Sequence, residues 1–193
     1  MQLRPVGPKA VLVEVESTGH AVSLATWARA RELASEVVPG AQTVLLDGLL
    51  DREGLADVLG RWSPRDADPG PEVELSVTYD GPDLEDVAEQ WGCDVDQAVA
   101  RHQETEFVAA FCGFAPGFAY LGGLDAGVRR LATPRTRVPA GSVALADRWC
   151  GVYPTPSPGG WRIIGRTDAT LWDVDRDPPA LLAPGTRVRF VSA

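Results

Sequence analysis

Lysine is almost absent from this chain: Lys9 stands alone and every other basic side chain is an arginine. No Gly-Lys-Ser/Thr sequence occurs, which excludes a Walker A phosphate loop. Any bound phosphate or carboxylate must therefore be held by planar guanidinium groups and backbone N–H groups. Histidine is nearly as scarce, and His20 and His102 lie too far apart for a His-rich metal site. The three cysteines, Cys93, Cys112 and Cys150, are odd in number and widely spaced. They form neither a disulfide framework nor a zinc pattern, and a reduced, cytoplasmic protein is the simplest reading. No apolar run approaches a membrane span, and the start MQLRPVGPKA lacks the apolar core of a signal peptide.

What is present is unevenly distributed. The net charge of −9 argues against a nucleic-acid binder. Residues 1–110 carry 21 acidic and 8 basic side chains, whereas residues 111–193 carry 6 acidic and 10 basic ones. A locally cationic second half favours a small anionic ligand, and an acidic first half that merely keeps the chain soluble explains the same numbers. Glycine, proline, arginine and aromatics crowd into residues 111–167, a density that no amphipathic helix carries. Such backbone calls for a shaped surface on short strands.

In chain order, residues 10–16 alternate as a strand, with Thr18 or Gly19 placed to cap the next element. Residues 21–38 read as a helix with Val22, Ala25, Leu33 and Val37 on its apolar face, stopped by Pro39-Gly40. A strand over 42–47 and a helix over 51–62 complete a β-α-β-α unit that carries no reacting groups. Residues 63–71 (SPRDADPGP) are the linker candidate, which divides the chain at 1–70 and 71–193. A strand over 72–79 leads to a helix over 83–91, ended by Gly92, and to a second helix capped by Asp94. Strands then come at 107–112, 142–146, 149–153, 161–165, 169–173 and 187–191, the spacing of a sandwich or closed barrel. The class is α+β.

Three segments carry candidate chemistry. In 113–123 (GFAPGFAYLGG), Gly117 and Phe118 belong either to an apolar pocket with backbone donors or to a loop packed on its own aromatics. In 133–143 (TPRTRVPAGSV), Arg135 and Arg137 project to one face if the backbone is extended, a clamp for carboxylate or phosphate. Ser142 follows as a hydroxyl donor or, less in keeping with its surroundings, a nucleophile, since Gly-X-Ser-X-Gly is not satisfied. In 157–167 (SPGGWRIIGRT), Gly159 and Gly160 make an anion nest or a hairpin turn, next to Arg162 and Arg166. His102, at a helix end, is a general acid or base if it reaches these loops, and a helix-terminal cation if it does not.

GFAPGFAYLGGL, TPRTRVPAGSVAL, GVYP and SPGGWRIIGRT, in that order, resemble the signature blocks of the family of 5-oxoprolinase B subunits. That family is also known as allophanate hydrolase subunit 1, includes Kip-type kinase inhibitors, and is related to the carboxyltransferase region (subdomains C and D) of urea carboxylases. The resemblance covers about residues 72–189. It implies a small α/β N-terminal domain followed by a cyclophilin-like β-barrel. It also implies a complex with a homologous C subunit (allophanate hydrolase subunit 2-like) and a separately supplied A subunit. Such a complex cleaves 5-oxo-L-proline to L-glutamate with ATP, bound with Mg, as co-substrate. A regulator of a sensor histidine kinase and a urea-metabolism carboxyltransferase are the alternatives the same family holds. Carried onto this sequence, the resemblance gives His102, Arg135 and Ser142 catalytic roles. It gives Arg137, Gly117, Phe118, Gly159, Gly160 and Arg166 binding roles, and it implies no protein-bound metal. Asp147–Cys150 stands where the family has Gly-Gly-Gln-Thr, so an amide is replaced by the indole of Trp149.

Overall fold

A computed structural model describes residues 1–49, 53–65 and 70–193. The chain falls into two compact units, Met1–Gly70 and Pro71–Ala193.

The first unit is built on β1 (Gln2–Gly7), β2 (Ala10–Glu14), β3 (Ala34–Pro39) and β4 (Thr43–Leu49), all antiparallel in the order β1-β2-β4-β3. Helix α1 (Thr18–Arg29) is capped by neither Thr18 nor Gly19 but by Ser17, whose hydroxyl accepts the His20 amide. Its Leu24, Ala25 and Ala28 pack on Val13, Val44 and Leu46 of the sheet, with Leu59 of the short α2 (Leu55–Leu59) and Trp62 beside them. The helix expected over 21–38 is therefore wrong in its second half. Glu32 takes a left-handed φ of 50° that ends the helical run, and 34–39 becomes β3. Val37 is buried, Val38 exposed and Pro39 buried, a strand alternation that the β-branched pair favours. The β-α-β-α reading gives way to a four-stranded antiparallel sheet that includes β1, an edge strand where Pro5 is tolerated. The helix expected over 51–62 is confined to α2; positions 51 and 52, and 66–69 of the linker candidate, lie outside the described residues.

The second unit begins with β5 (Glu72–Val77), α3 (Leu84–Trp91) and α4 (Val95–Glu104). Gly92 ends α3 with φ 68°, and Asp94 caps α4 in a full capping box with Gln97. The strands that come next are β6 (Phe107–Cys112), β7 (Ala119–Gly122), β8 (Arg135–Val138), β9 (Ser142–Ala146) and β10 (Trp149–Val152). After them come β11 (Ser157–Gly159), β12 (Arg162–Arg166) and β13 (Arg187–Ser192). Seven strands form one sheet in the order β12-β9-β10-β7-β6-β13-β5, while β8 and β11 pair as a separate ribbon. Thr78, just past β5, exchanges two 2.9 Å backbone hydrogen bonds with Arg166 of β12, and the sheet becomes a nearly closed barrel. Glycines let that seam close: a Cβ on Gly165 would lie 2.5 Å from the Thr78 carbonyl, and one on Gly81 would overlap the Ile163 carbonyl. The strand expected at 169–173 is absent. Trp172 makes one isolated bridge to Ala180, through the Leu181 amide on the Leu171 carbonyl and the Asp173 amide on the Pro179 carbonyl. The Arg176 guanidinium donates to the carbonyls of Thr170, Leu171 and Pro179 as well.

Side-chain alternation gives the barrel two faces. Leu121, Leu145, Cys150 and Val152 point inward to a core shared with Phe107, Val188 and Phe190. Phe118, Tyr120, Tyr153, Trp161 and Ile163 form a second cluster on the outer face, together with Val138 of the β8–β11 ribbon.

Candidate functional site: an aromatic face framed by arginines

Asp80, Asp83 and Asp86 recur every third residue into the first turn of α3, and each meets an arginine from the second half of the chain. Asp80 pairs with Arg166 at 2.9 Å, Asp83 with Arg135 at 2.8 Å, and Asp86 with Arg162. Asp83 is 5% exposed, and its other carboxylate oxygen accepts the Ile163 amide at 2.7 Å. Part of the separation of charge along the sequence is thus internal complementarity. Arg166, expected to meet ligand, is a counterion of Asp80. Arg135 is only partly committed: one terminal nitrogen donates to Asp83, while the other is buried with no hydrogen-bond partner. Two positions along β8, Arg137 is exposed, with no partner among the described residues.

His102 is fully enclosed between Tyr79, Phe107 and Phe190. Its Nδ1 lies 2.8 Å from the Tyr79 hydroxyl and its Nε2 3.5 Å from Cys150 Sγ. Burial drives its pKa down to about 3 and pushes the Cys150 thiol and Tyr79 phenol up. It does not reach the loops, so the condition for its acid–base role is not met. It is a neutral core residue.

Ser142 is 3% exposed and opens β9, where its carbonyl accepts the Tyr153 amide. Gly141 before it has φ 78°, and a Cβ there would overlap the Thr167 carbonyl, so this turn admits glycine alone. With both His102 nitrogens engaged elsewhere, Ser142 has no histidine to activate it as a nucleophile. The nest expected at Gly159-Gly160 does not form. Gly159 pairs with Arg135 in the β8–β11 ladder, and a side chain there would displace the Tyr153 hydroxyl. Gly160 accepts the Leu131 amide at 2.7 Å. Gly117 likewise works by close packing, since a Cβ would sit 2.9 Å from that of Trp172.

Phe118 lies at the centre of a continuous set of rings, in edge contact with Phe114, Tyr120, Tyr153 and Trp161 at 5.1–5.5 Å. Tyr120 stacks on Phe111 at 4.3 Å and meets Trp149 and Trp161 edge-on. Burial raises the Tyr153 phenol, with the Trp161 backbone and Arg135 pulling the other way. Phe114 is 61% exposed and holds φ 69°, an unusual conformation for a bulky side chain.

Beside the rings opens a cleft of about 680 Å³ whose walls include Trp149, Trp161, Asp147, Arg129 and Arg130. The two adjacent arginines escape sequence reasoning because they sit in no motif. Their only local signal is an Arg-Arg pair between Gly127 and the Thr133-Pro134 turn. No group of three or more His, Cys, Asp or Glu side chains is arranged for a metal among the described residues, and no helix among them is long and apolar enough to cross a membrane.

The model of the carboxyltransferase domain, subdomain C and D, matches residues 1–182. A protein of Escherichia coli O157:H7, named as the B subunit of 5-oxoprolinase, is 40% identical, over 96% of this chain and 93% of its own. A namesake from Haemophilus influenzae is 38% identical, over 86% of this chain and 84% of its own. The crystal structure of TTHA0988 superposes on 96% of this chain with a TM-score of 0.84 and 32% identity; this chain spans 40% of that one. Urea amidolyase of K. lactis, 18% identical, shares the fold with a TM-score of 0.76 over 99% of this chain, which amounts to 15% of the larger enzyme.

Proposed function

The chain belongs to the carboxyltransferase subdomain C and D family, and from that premise we propose that it is the B subunit of an ATP-dependent 5-oxoprolinase. In that role it acts in the cytoplasm beside a C subunit, together with an A subunit, to open 5-oxo-L-proline to L-glutamate. The observation that carries this reading is the 40% identity to the B subunit of a 5-oxoprolinase over nearly the full length of both chains. The similarity to TTHA0988, in which this fold occupies 40% of a longer chain, fits a module that works against further protein.

The outer aromatic face is the working face. Arg137, exposed on β8, holds an anionic group, the substrate carboxylate or a phosphate of ATP, through charge-assisted hydrogen bonds. Arg135, two positions earlier and anchored to Asp83, adds its positive charge to the same strand. Ser142 adds a hydroxyl at the edge of the same face. Lactam opening through a phosphorylated oxygen needs positioning and charge stabilisation more than a base of this chain, in keeping with the enclosure of His102. Coexpression with the two companion subunits, followed by an assay of glutamate release, tests the reading. ATP-dependent release that drops at least tenfold in Arg137→Ala is expected; absence of release from the assembled complex overturns it.

A further inference from the structure

The cleft at Trp149 is built differently from the rest of the face. Arg135, Arg162 and Arg166 are tied to aspartates, but neither Arg129 nor Arg130 has a side-chain partner among the described residues. Their backbone, in contrast, is fastened on every side. Val128 and Asp147 exchange backbone hydrogen bonds of 2.8 and 2.6 Å, the Arg129 amide donates to Gln90 Oε1 at 2.7 Å, and the Arg129 carbonyl accepts from Arg162 at 3.0 Å. The Leu131 amide closes the segment on Gly160 at 2.7 Å. With the backbone already immobilised, an anion that arrives there has only the rotamers of the two exposed arginine side chains to order.

The aromatic wall is equally fixed. Tyr120 meets Trp149 at an interplanar angle of 90° and Trp161 at 70°, with ring centroids 6.1 and 5.6 Å apart. Each indole rests above a glycine that makes room for it: a Cβ on Gly122 would lie 3.4 Å from Trp149, and one on Gly151 3.1 Å from Trp161. Neither indole N–H has a hydrogen-bond partner within the described residues. Asp147, at the tip of the β9–β10 turn with φ 50°, brings one carboxylate to the same cleft. Indole, guanidinium and a single carboxylate are the groups that bind a stacked base, a phosphate and a sugar hydroxyl or ring amine.

We infer that this cleft is a binding site for a flat, unsaturated ring carrying a phosphate or carboxylate, the ring against Trp149 and Trp161 and the anion on Arg129 and Arg130. The inference deepens the reading of the aromatic face as the working face and rests on it. A small lactam such as 5-oxo-L-proline offers the indoles only the plane of one amide and would occupy little of the 680 Å³. The ligand is the ring-bearing one. Asp147 selects for ligands with a donor next to the ring.

Titration calorimetry on the full chain with adenosine 5′-monophosphate as probe tests this, with inorganic phosphate and 5-oxo-L-proline as comparators. Saturable binding of the monophosphate is expected, at least tenfold tighter than either comparator, about 1.4 kcal/mol. The double variant Arg129→Gln/Arg130→Gln and the single variant Trp149→Gln are each expected to weaken it about tenfold or more, with unchanged thermal midpoints. Equal affinity for inorganic phosphate, binding that survives both variants, or no binding at all overturns the inference. Glutamate release by the assembled complex is scored separately. An active complex in which this chain ignores the monophosphate would refute this site and leave the proposed function standing.

Discussion

Asp83 gives one carboxylate oxygen to the Arg135 guanidinium and the other to the Ile163 amide, and so fastens the start of α3 to both β8 and β12. One buried side chain thereby positions the arginine whose remaining nitrogen faces no partner. Removing the charge leaves Arg135 without its counterion in a poorly hydrated place. Asp83→Asn is expected to cost about 2–4 kcal/mol, read as a fall in the urea midpoint. Adding Arg135→Met should recover part of that loss, because the uncompensated charge is then gone as well.

Arg166 and Asp80 make the opposite case. Both side chains are about half exposed, at 58% and 49%. Arg166→Gln should change stability by less than about 1 kcal/mol, and the difference should shrink further in high salt. A larger loss would mean that the side chain, and not only its backbone, holds the barrel seam.

Two glycines with nearly the same backbone conformation should respond differently. Gly92 has φ 68° and open space around its absent side chain, so Gly92→Ala pays only for the left-handed conformation, about 1 kcal/mol. Gly141 has φ 78° and the Thr167 carbonyl in the way. Gly141→Ala must move that strand as well and should cost clearly more than Gly92→Ala, or prevent folding. Thermal melts of the two variants side by side decide it.

His102 predicts a pH effect with a definite sign. Burial holds its folded pKa near 3, below the ordinary value of 6.5. The unfolded chain therefore takes up a proton that the native state refuses. The stabilisation is complete above pH 6.5 and drains away as pH falls from 6.5 toward 3, by at most about 1.4 kcal/mol per pH unit. His102→Gln should flatten the stability profile between pH 6.5 and 5, measured by urea unfolding. An unchanged slope would show that the ring is protonated in the fold.

Both helices of the second unit and the strands β5, β6, β9, β10, β12 and β13 were legible because their signals are local. The short β7, β8 and β11, lying in the Gly- and Pro-rich segments, were not. Asp94 and Gly92 mark helix ends by their own chemistry, and β6 and β9 show the apolar runs of a barrel wall. The first unit misled because Val37 fits two periods: it lies four residues from Leu33, as on a helix face, and it also alternates with Val38, as in a strand. Pro5 hid β1, since only an edge position tolerates it. In the candidate site, the arginines were visible but their commitments were not. Arg135 and Asp83 are 52 residues apart and Arg166 and Asp80 are 86 apart, so no window of sequence contains both partners. Arg129 and Arg130 stand out only once the others are seen to be taken.

The barrel seam has a kinetic consequence. β9 is flanked by four-pair ladders to β10 and β12. Thr78 and Arg166, in contrast, close the circuit with one bridge of two hydrogen bonds, backed by the Gly81 and Asp83 amides on the Ile164 and Ile163 carbonyls. A clasp of that size opens without unfolding the strands on either side, so the amides of Thr78 and Arg166 should exchange with solvent deuterium long before those of β9 or β10. The cylinder breathes along this line. That line passes beside Gly81 and Gly165, where any bulkier residue would hold the clasp ajar.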